Sequence, residues 1–252
     1  NKVITGSMAN SVRANEAIIA KYIYTYHPEV RGDGFLFDGS MEGNASVTIE
    51  GGDFLVISRN VAAVGISERT TPQSIDIFLS RLREELTEPF HLFAVVLPRE
   101  RATIHLDMVF TMVDKDQCVI HYPYILGKER LQVIHLTVEP NRKTRMVEED
   151  NLIAGLANIG IKLNPIFCGG RNPIDQEREQ WLSGTNFFAF GPGKILGYGC
   201  NYHTFRELEA AGFQTVDVGQ VIRDEVDISN MEKVAVGIGG ADAHGHLLHG
   251  GD

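Results

Sequence analysis

His105 and Asp107 stand two residues apart in IHLDMVFTMVD, and strand alternation would send both to one face while Ile104, Leu106, Met108 and Phe110 take the other. Removing an imidazole and a carboxylate from water is costly unless they find partners or a task, so the pair is either a hydrogen-bonded structural feature or the lining of a site. Further charged groups stand at comparable places. Glu50 and Asp53 flank Gly51-Gly52 in IEGGD, and Arg69 in ISERT lies at a strand end just before a helix. Carboxylates can clamp a planar guanidinium through paired hydrogen bonds, an arginine can hold a carboxylate, and a histidine can move protons near neutral pH. If these residues converge, their complement is a small ligand carrying both a guanidinium and a carboxylate, as free arginine does.

A weak repeat supplies the elements that must position them. SVTIEGGDFLVISRNVAAVGIS reads as two strands around a tight turn near Ser58-Arg59-Asn60, TPQSIDIFLSRLREEL as a helix with Pro72 in its first turn, and HLFAVVL as a strand. The order hairpin, helix, strand recurs in TIHLDMVFTMVDKDQCVIHYP, VEEDNLIAGLANIG and IKLNPIF, and again in NFFAFGPGKILGYG, TFRELEAAG and FQTVDV. In the third copy Thr204 and Glu207 form a capping-box pattern and Gly212 is a helix C-cap. Such units cannot bury their own faces, and a closed ring of them leaves no open edge. The expected fold is therefore α/β, a single-domain pseudo-symmetric α/β propeller over 1–252, apparently incomplete at both ends. VRANEAIIAKYIYTYHPE is a helix with Ile19, Tyr22, Ile23 and Tyr26 on one stripe and no hairpin before it, and EKVAVGIGG is a strand whose unit is never finished.

Composition narrows the partners. A chain of 252 residues with formal net charge −10 and no run of Lys or Arg argues against nucleic acid and anionic membranes. No apolar stretch is long enough to span a bilayer and the N-terminus is no signal peptide, so the expectation is a cytoplasmic protein acting on a small molecule, with homo-oligomerisation open. The three cysteines, Cys118, Cys168 and Cys200, have no disulfide-framework spacing and read as small buried hydrophobes. Trp181 reads as a core plug. FGPGKILGYG is a hairpin turn tipped by Pro192-Gly193, with no following helix to make it a phosphate loop.

Taken in order, EGGD, SERT, HLDMVF and EREQW, with RANEAIIAKYIYTYHPE before them and NYHTFRELEAAGF after, resemble the arginine deiminases of the guanidino-group-modifying superfamily, whose fold is an α/β propeller. The resemblance implies hydrolysis of L-arginine to L-citrulline and ammonia through a cysteine-bound thiouronium intermediate, without cofactor or metal. By the same resemblance His105 is the general acid/base, Glu50 and Asp107 bind the guanidinium, and Arg69 and Arg13 contact the substrate carboxylate. Asp53 belongs with the substrate-binding set but supports the Glu50 turn more than it touches substrate. Methylarginine hydrolases and amidinotransferases share this chemistry.

The family's N-terminal aspartate motif and its C-terminal cysteine loop have no counterpart in these 252 residues. The expectation is a partial chain, inactive alone, with a catalytically silent arginine-binding protein as the alternative. In HGHLLHGGD, His244, His246 and His249 partly match a zinc-hydrolase motif, but Leu248 stands where that motif needs aspartate. They read as loop histidines, with Asp242 an outlying ligand at best.

Overall fold

A computed structural model describes residues 2–42, 46–140 and 143–239. The C-terminal histidines and Asp242 lie outside them. The fold is mixed α/β, and the chain divides into two compact units, one of residues 1–106 and 131–152, the other of 107–130 and 153–252.

In chain order the first unit contributes β1 (Val3–Thr5), α1 (Ala14–Tyr26), β2 (Phe35–Asp38), β3 (Phe54–Ser58), β4 (Val61–Ile66), α2 (Pro72–Glu85) and β5 (Phe90–Val96). The second contributes β6 (Phe110–Met112), β7 (Gln117–Ile120) and α3 (Tyr122–Ile125), before β8 (Val133–Val138) and β9 (Arg145–Glu149) return to the first. The rest of the second unit is α4 (Leu152–Asn158), β10 (Asn164–Phe167), α5 (Pro173–Trp181), β11 (Phe188–Gly191), β12 (Lys194–Tyr198), α6 (Tyr202–Ala210), β13 (Gln214–Asp217), α7 (Val218–Ile222) and β14 (Val234–Ile238).

In the first unit β3 and β4 form the expected hairpin and β5 returns parallel to β4. Thr71 caps α2, accepting from the Ser74 backbone N–H, and Pro72 sits in its first turn, where a missing N–H costs nothing. The helix buries Ile75, Phe78, Leu79 and Leu82 on a core shared with Ala62, Val64 and Leu92 of the sheet. The antiparallel β8–β9 pair extends that sheet to the order β3-β4-β5-β8-β9. β1 and β2 make a separate parallel pair joined through α1. The stripe expected on α1 is not a core face: Ile19, Tyr22, Ile23 and Tyr26 are all exposed, and Ala17 is the helix's buried residue.

In the second unit β6 and β7 form a hairpin to which β10 adds in parallel, as the repeat predicts. The third copy departs from it. β13 does not lie beside β12; β14, expected as the start of an unfinished unit, runs parallel between them, giving the order β11-β12-β14-β13. The buried run of Val234, Ala235 and Val236 is what a central parallel strand requires. The capping-box expectation on α6 also fails, because the helix begins at Tyr202, ahead of Thr204. Its first N–H groups are satisfied from outside: the Glu179 carboxylate accepts from the backbone of His203 and Thr204 and from the Thr204 hydroxyl. Gly212 follows that helix at φ +97°, as its C-terminal reading expects.

Candidate functional site

Glu50 is the centre of the first unit's polar cluster. It precedes the short 3-10 turn Gly51–Asp53, whose third residue bonds back to the Glu50 carbonyl, and it is 1% exposed. Its Oε1 accepts from the Ala9 backbone N–H at 3.1 Å and from Arg69 Nη1 at 3.4 Å. Its Oε2 accepts from Arg13 Nη1 at 2.7 Å and meets His105 Nε2 at 3.1 Å. A carboxylate has about four lone-pair sites, and these contacts engage them all. Burial alone would favour the neutral acid, but hydrogen bonds from His105 and Ala9 and the charges of Arg13 and His105 outweigh it, holding the Glu50 carboxyl at about 2. The carboxylate is therefore ionised at any physiological pH. Beside it lies a mainly apolar cleft of about 280 Å³, walled by Ile4, Ile49, Phe54 and Val56 with Gly51 at its edge.

Asp53 lies behind Glu50 and is fully buried. Its Oδ2 accepts from the hydroxyls of Ser67 at 2.6 Å and Thr70 at 2.7 Å, and its Oδ1 from the Leu106 backbone N–H at 2.9 Å. Burial pushes its pKa up against these bonds. One carboxylate thus ties the Gly-Gly turn, the segment after β4 and the residue following His105 to one another. Gly65 in β4 makes room for it, since a Cβ there would stand 2.2 Å from Asp53 Oδ1. The position is that of a support for Glu50 and His105.

The strand expected over residues 104–114 exists only in part. Strand geometry is confined to Phe110–Met112, and Leu106–Met108 is a 3-10 turn. The reason is where the backbone bonds go: Leu106 N–H is taken by Asp53 and the Asp107 carbonyl by the Thr185 hydroxyl, so neither joins a ladder. The alternation argument does not therefore place His105 and Asp107 on one strand face. The first unit brings together Glu50, His105, Arg13 and Arg69, with Asp53 beneath them. Asp107 opens the second unit, in that turn.

Sequence reasoning missed four contributors. Ser67 and Thr70 bracket Arg69 in SERT, and the Ser67 hydroxyl also accepts from the backbone N–H of Arg69 and Thr70, a Ser-turn pattern legible in the motif. Ala9 acts through its backbone and leaves no side-chain signal. Glu16 binds Arg13 bidentately, Nε to Oε1 and Nη2 to Oε2, both 2.8 Å, at a helical i,i+3 spacing open to reading from sequence.

In the second unit Cys118 and Cys168 are buried, as expected, and Cys200 is exposed. Burial raises both buried thiols, Cys168 to about 12, so neither is a ready thiolate. Trp181 is no core plug: at the end of α5 it is 59% exposed, while its neighbours Glu179 and Gln180 face inward, so EREQW serves chiefly to cap α6. Among the described residues no group of three His, Cys, Asp or Glu is arranged to hold a metal, and no helix is long and apolar enough to cross a membrane.

In the first unit an ionised, buried carboxylate thus meets an imidazole and two guanidiniums. The family model for arginine deiminase matches residues 1–225, and the chain belongs to the arginine deiminase family. It is 39% identical over 215 residues to the arginine deiminase of Streptococcus uberis, covering 84% of this chain and 50% of that protein. It is 39% identical over 217 residues to that of Streptococcus equi subsp. zooepidemicus, covering 84% and 51%. The chain thus spans about half the length of these relatives. Among solved structures it is similar to an amidinotransferase of the saxitoxin biosynthetic pathway from Microseira wollei, with a TM-score of 0.48 and 13% identity over 85% of this chain and 60% of that one.

Proposed function

We propose that the protein takes part in hydrolysing the guanidino group of L-arginine to L-citrulline and ammonia. The observation that carries this reading is the Glu50 carboxylate, buried, ionised and in contact with His105 Nε2. An anion of this kind, next to a group able to donate or accept a proton, can bind a guanidinium and serve the departure of ammonia and the entry of water. In this reading Glu50 and Asp107 hold the guanidinium, His105 is the general acid/base, Arg69 and Arg13 receive the ligand's carboxylate, and Asp53 positions Glu50 and His105. In this reading the chain is a single catalytic domain of the α/β propeller class, the location is cytoplasmic, and no cofactor or metal is required. Homo-oligomerisation is compatible with it.

The reaction needs a thiolate to attack the guanidinium carbon, and the raised pKa values of Cys118 and Cys168 disfavour both for that role. Cys200 is exposed but does not stand in the family's nucleophile motif, so we expect the chain alone to bind arginine without turning it over. The test is citrulline release from arginine by the chain. No product is expected; steady product would refute this reading, and Cys200→Ala would then show whether the exposed thiol is responsible.

A second reading, an arginine-binding protein without turnover, rests on the same Glu50 cluster and the same cysteines. The two separate when citrulline is assayed on a full-length family member carrying these residues: loss of product on His105→Ala there, by about 10² or more, supports the catalytic reading. Methylarginine and agmatine as alternative substrates test the preference for arginine.

A further inference from the structure

Asp107 lies in a 3-10 turn of three residues, Leu106–Met108, a geometry whose own hydrogen bonds are poor and which is used only in short pieces. Its backbone is held instead by side chains from elsewhere in the second unit. The Asp107 carbonyl accepts from the Thr185 hydroxyl at 2.8 Å and from the Thr111 hydroxyl at 3.4 Å. The next carbonyl, that of Met108, accepts from Gln180 Nε2 at 3.3 Å. Thr185 is fully buried and Gln180 nearly so, and they stand 78 and 72 residues from the carbonyls they hold.

The end of α5 is shaped to deliver both donors. Glu179 turns towards the first N–H groups of α6, and Gln180, the next residue, reaches Met108. The N–H groups of Leu182, Ser183 and Gly184 bond back to the carbonyls of Arg178, Gln180 and Glu179, and Asn201 Nδ2 holds the Leu182 carbonyl at 3.1 Å. Ser183 stands at φ +60°, uncommon for a residue with a side chain. This sharp reversal returns the chain so that the Thr185 hydroxyl meets the carbonyl preceding the one bound by Gln180.

A side chain leaves the backbone in a direction fixed by the φ and ψ of its own residue, so pinning two successive carbonyls fixes where the Asp107 carboxylate points. A carboxylate that grips a guanidinium through paired hydrogen bonds needs that direction as much as it needs charge. We infer that Gln180 and Thr185 are positioning residues for Asp107, setting the orientation in which its carboxylate is presented to the ligand's guanidinium. The inference rests on the reading of Asp107 as a guanidinium ligand.

The experiment is calorimetric titration of the 252-residue chain with L-arginine, for the unaltered protein, Thr185→Val, Thr185→Ser, Gln180→Met, Asp107→Asn and the double variant Thr185→Val/Asp107→Asn, each with its Tm. Thr185→Val and Gln180→Met keep the shape and remove the donor, and each should weaken arginine about three- to tenfold, the scale of one net hydrogen bond. Thr185→Ser, which keeps the hydroxyl, should lose about twofold or less. In the Asp107→Asn background Thr185→Val should change affinity by no more than about twofold, because the orientation it sets no longer matters. If Thr185→Val does not fold, Gln180→Met and Thr185→Ser carry the same comparison. A lower Tm with arginine affinity unchanged, or a loss as large in Asp107→Asn as in the unaltered protein, overturns the positioning role and leaves Asp107 as a guanidinium ligand. Arginine affinity indifferent to Asp107→Asn itself overturns both.

Discussion

Replacing Asp53 with alanine should be among the most damaging single changes in the first unit, and the structure gives its size. The carboxylate receives three protons, from Ser67 Oγ, Thr70 Oγ1 and Leu106 N. The two hydroxyls cannot simply turn elsewhere. Ser67 Oγ already accepts from Arg69 and Thr70 backbone N–H groups, and Thr70 Oγ1 from the Glu50 N–H, so both hydroxyls are held on their acceptor side and their protons point at Asp53. Truncation leaves three donors without an acceptor in a buried place, at about 1–3 kcal/mol each. Against this, the buried charge itself is unfavourable, as the upward push on its pKa shows, and its removal offsets part of the loss. The net destabilisation expected is about 3 kcal/mol, which for a chain of this length lowers Tm by roughly 6–12 °C. Thermal and urea unfolding measure it, and paired cycles with Thr70→Val should show coupling above about 0.5 kcal/mol because the two share a bond. A loss under about 1 kcal/mol with no coupling would refute the assignment of Asp53 as the support of the cluster.

Three further outcomes follow from the same geometry. Glu50 is held at about 2, below its unfolded value of about 4.3, so the stability it contributes is present above that value and is lost as pH falls through about 2, roughly 3 kcal/mol in all; Glu50→Gln should flatten the acid limb of a stability–pH curve. His91 Nδ1 lies 2.8 Å from His135 Nε2, and His135 Nδ1 is 3.1 Å from Glu149. Burial, His135 and Arg145 lower the His91 pKa, so folding favours neutral His91, and stability erodes as pH falls below the ordinary histidine range; a His91→Gln protein should lose that slope in urea unfolding between pH 7 and 5. Gly65→Ala should cost about 2 kcal/mol or more by melting temperature, because its Cβ would drive into Asp53 Oδ1.

The parts of this molecule that are legible in sequence are those whose signals are local. The β3–β4 hairpin, α2 behind Thr71-Pro72 and the β11–β12 turn at Gly193 follow from turn and cap residues. Glu50, Arg69 and His105 are recognisable because ionisable groups stand beside glycines or at element ends. What escaped depends on partners distant in sequence. Period-two alternation in IHLDMVF was overruled by Asp53, 53 residues away, which takes the backbone bond a strand would have used. Thr204 looked like a cap, but Glu179, 25 residues earlier, does the capping. The insertion of β14 between β12 and β13 is a choice of neighbour, and an apolar strand carries no mark of which neighbour it will take. The stripe on α1 shows the converse: apolar spacing gives a helix, and does not ensure that its face is buried.

The proposed recognition of a guanidinium by Glu50 is tested most directly by the affinity of this chain for L-arginine with and without that charge. Calorimetric titration should show binding that Glu50→Gln weakens at least tenfold, the loss of one buried charge-assisted pair, with the variant still folded by circular dichroism. Equal affinity in the two proteins, or no binding of arginine by the unaltered chain, would contradict the account.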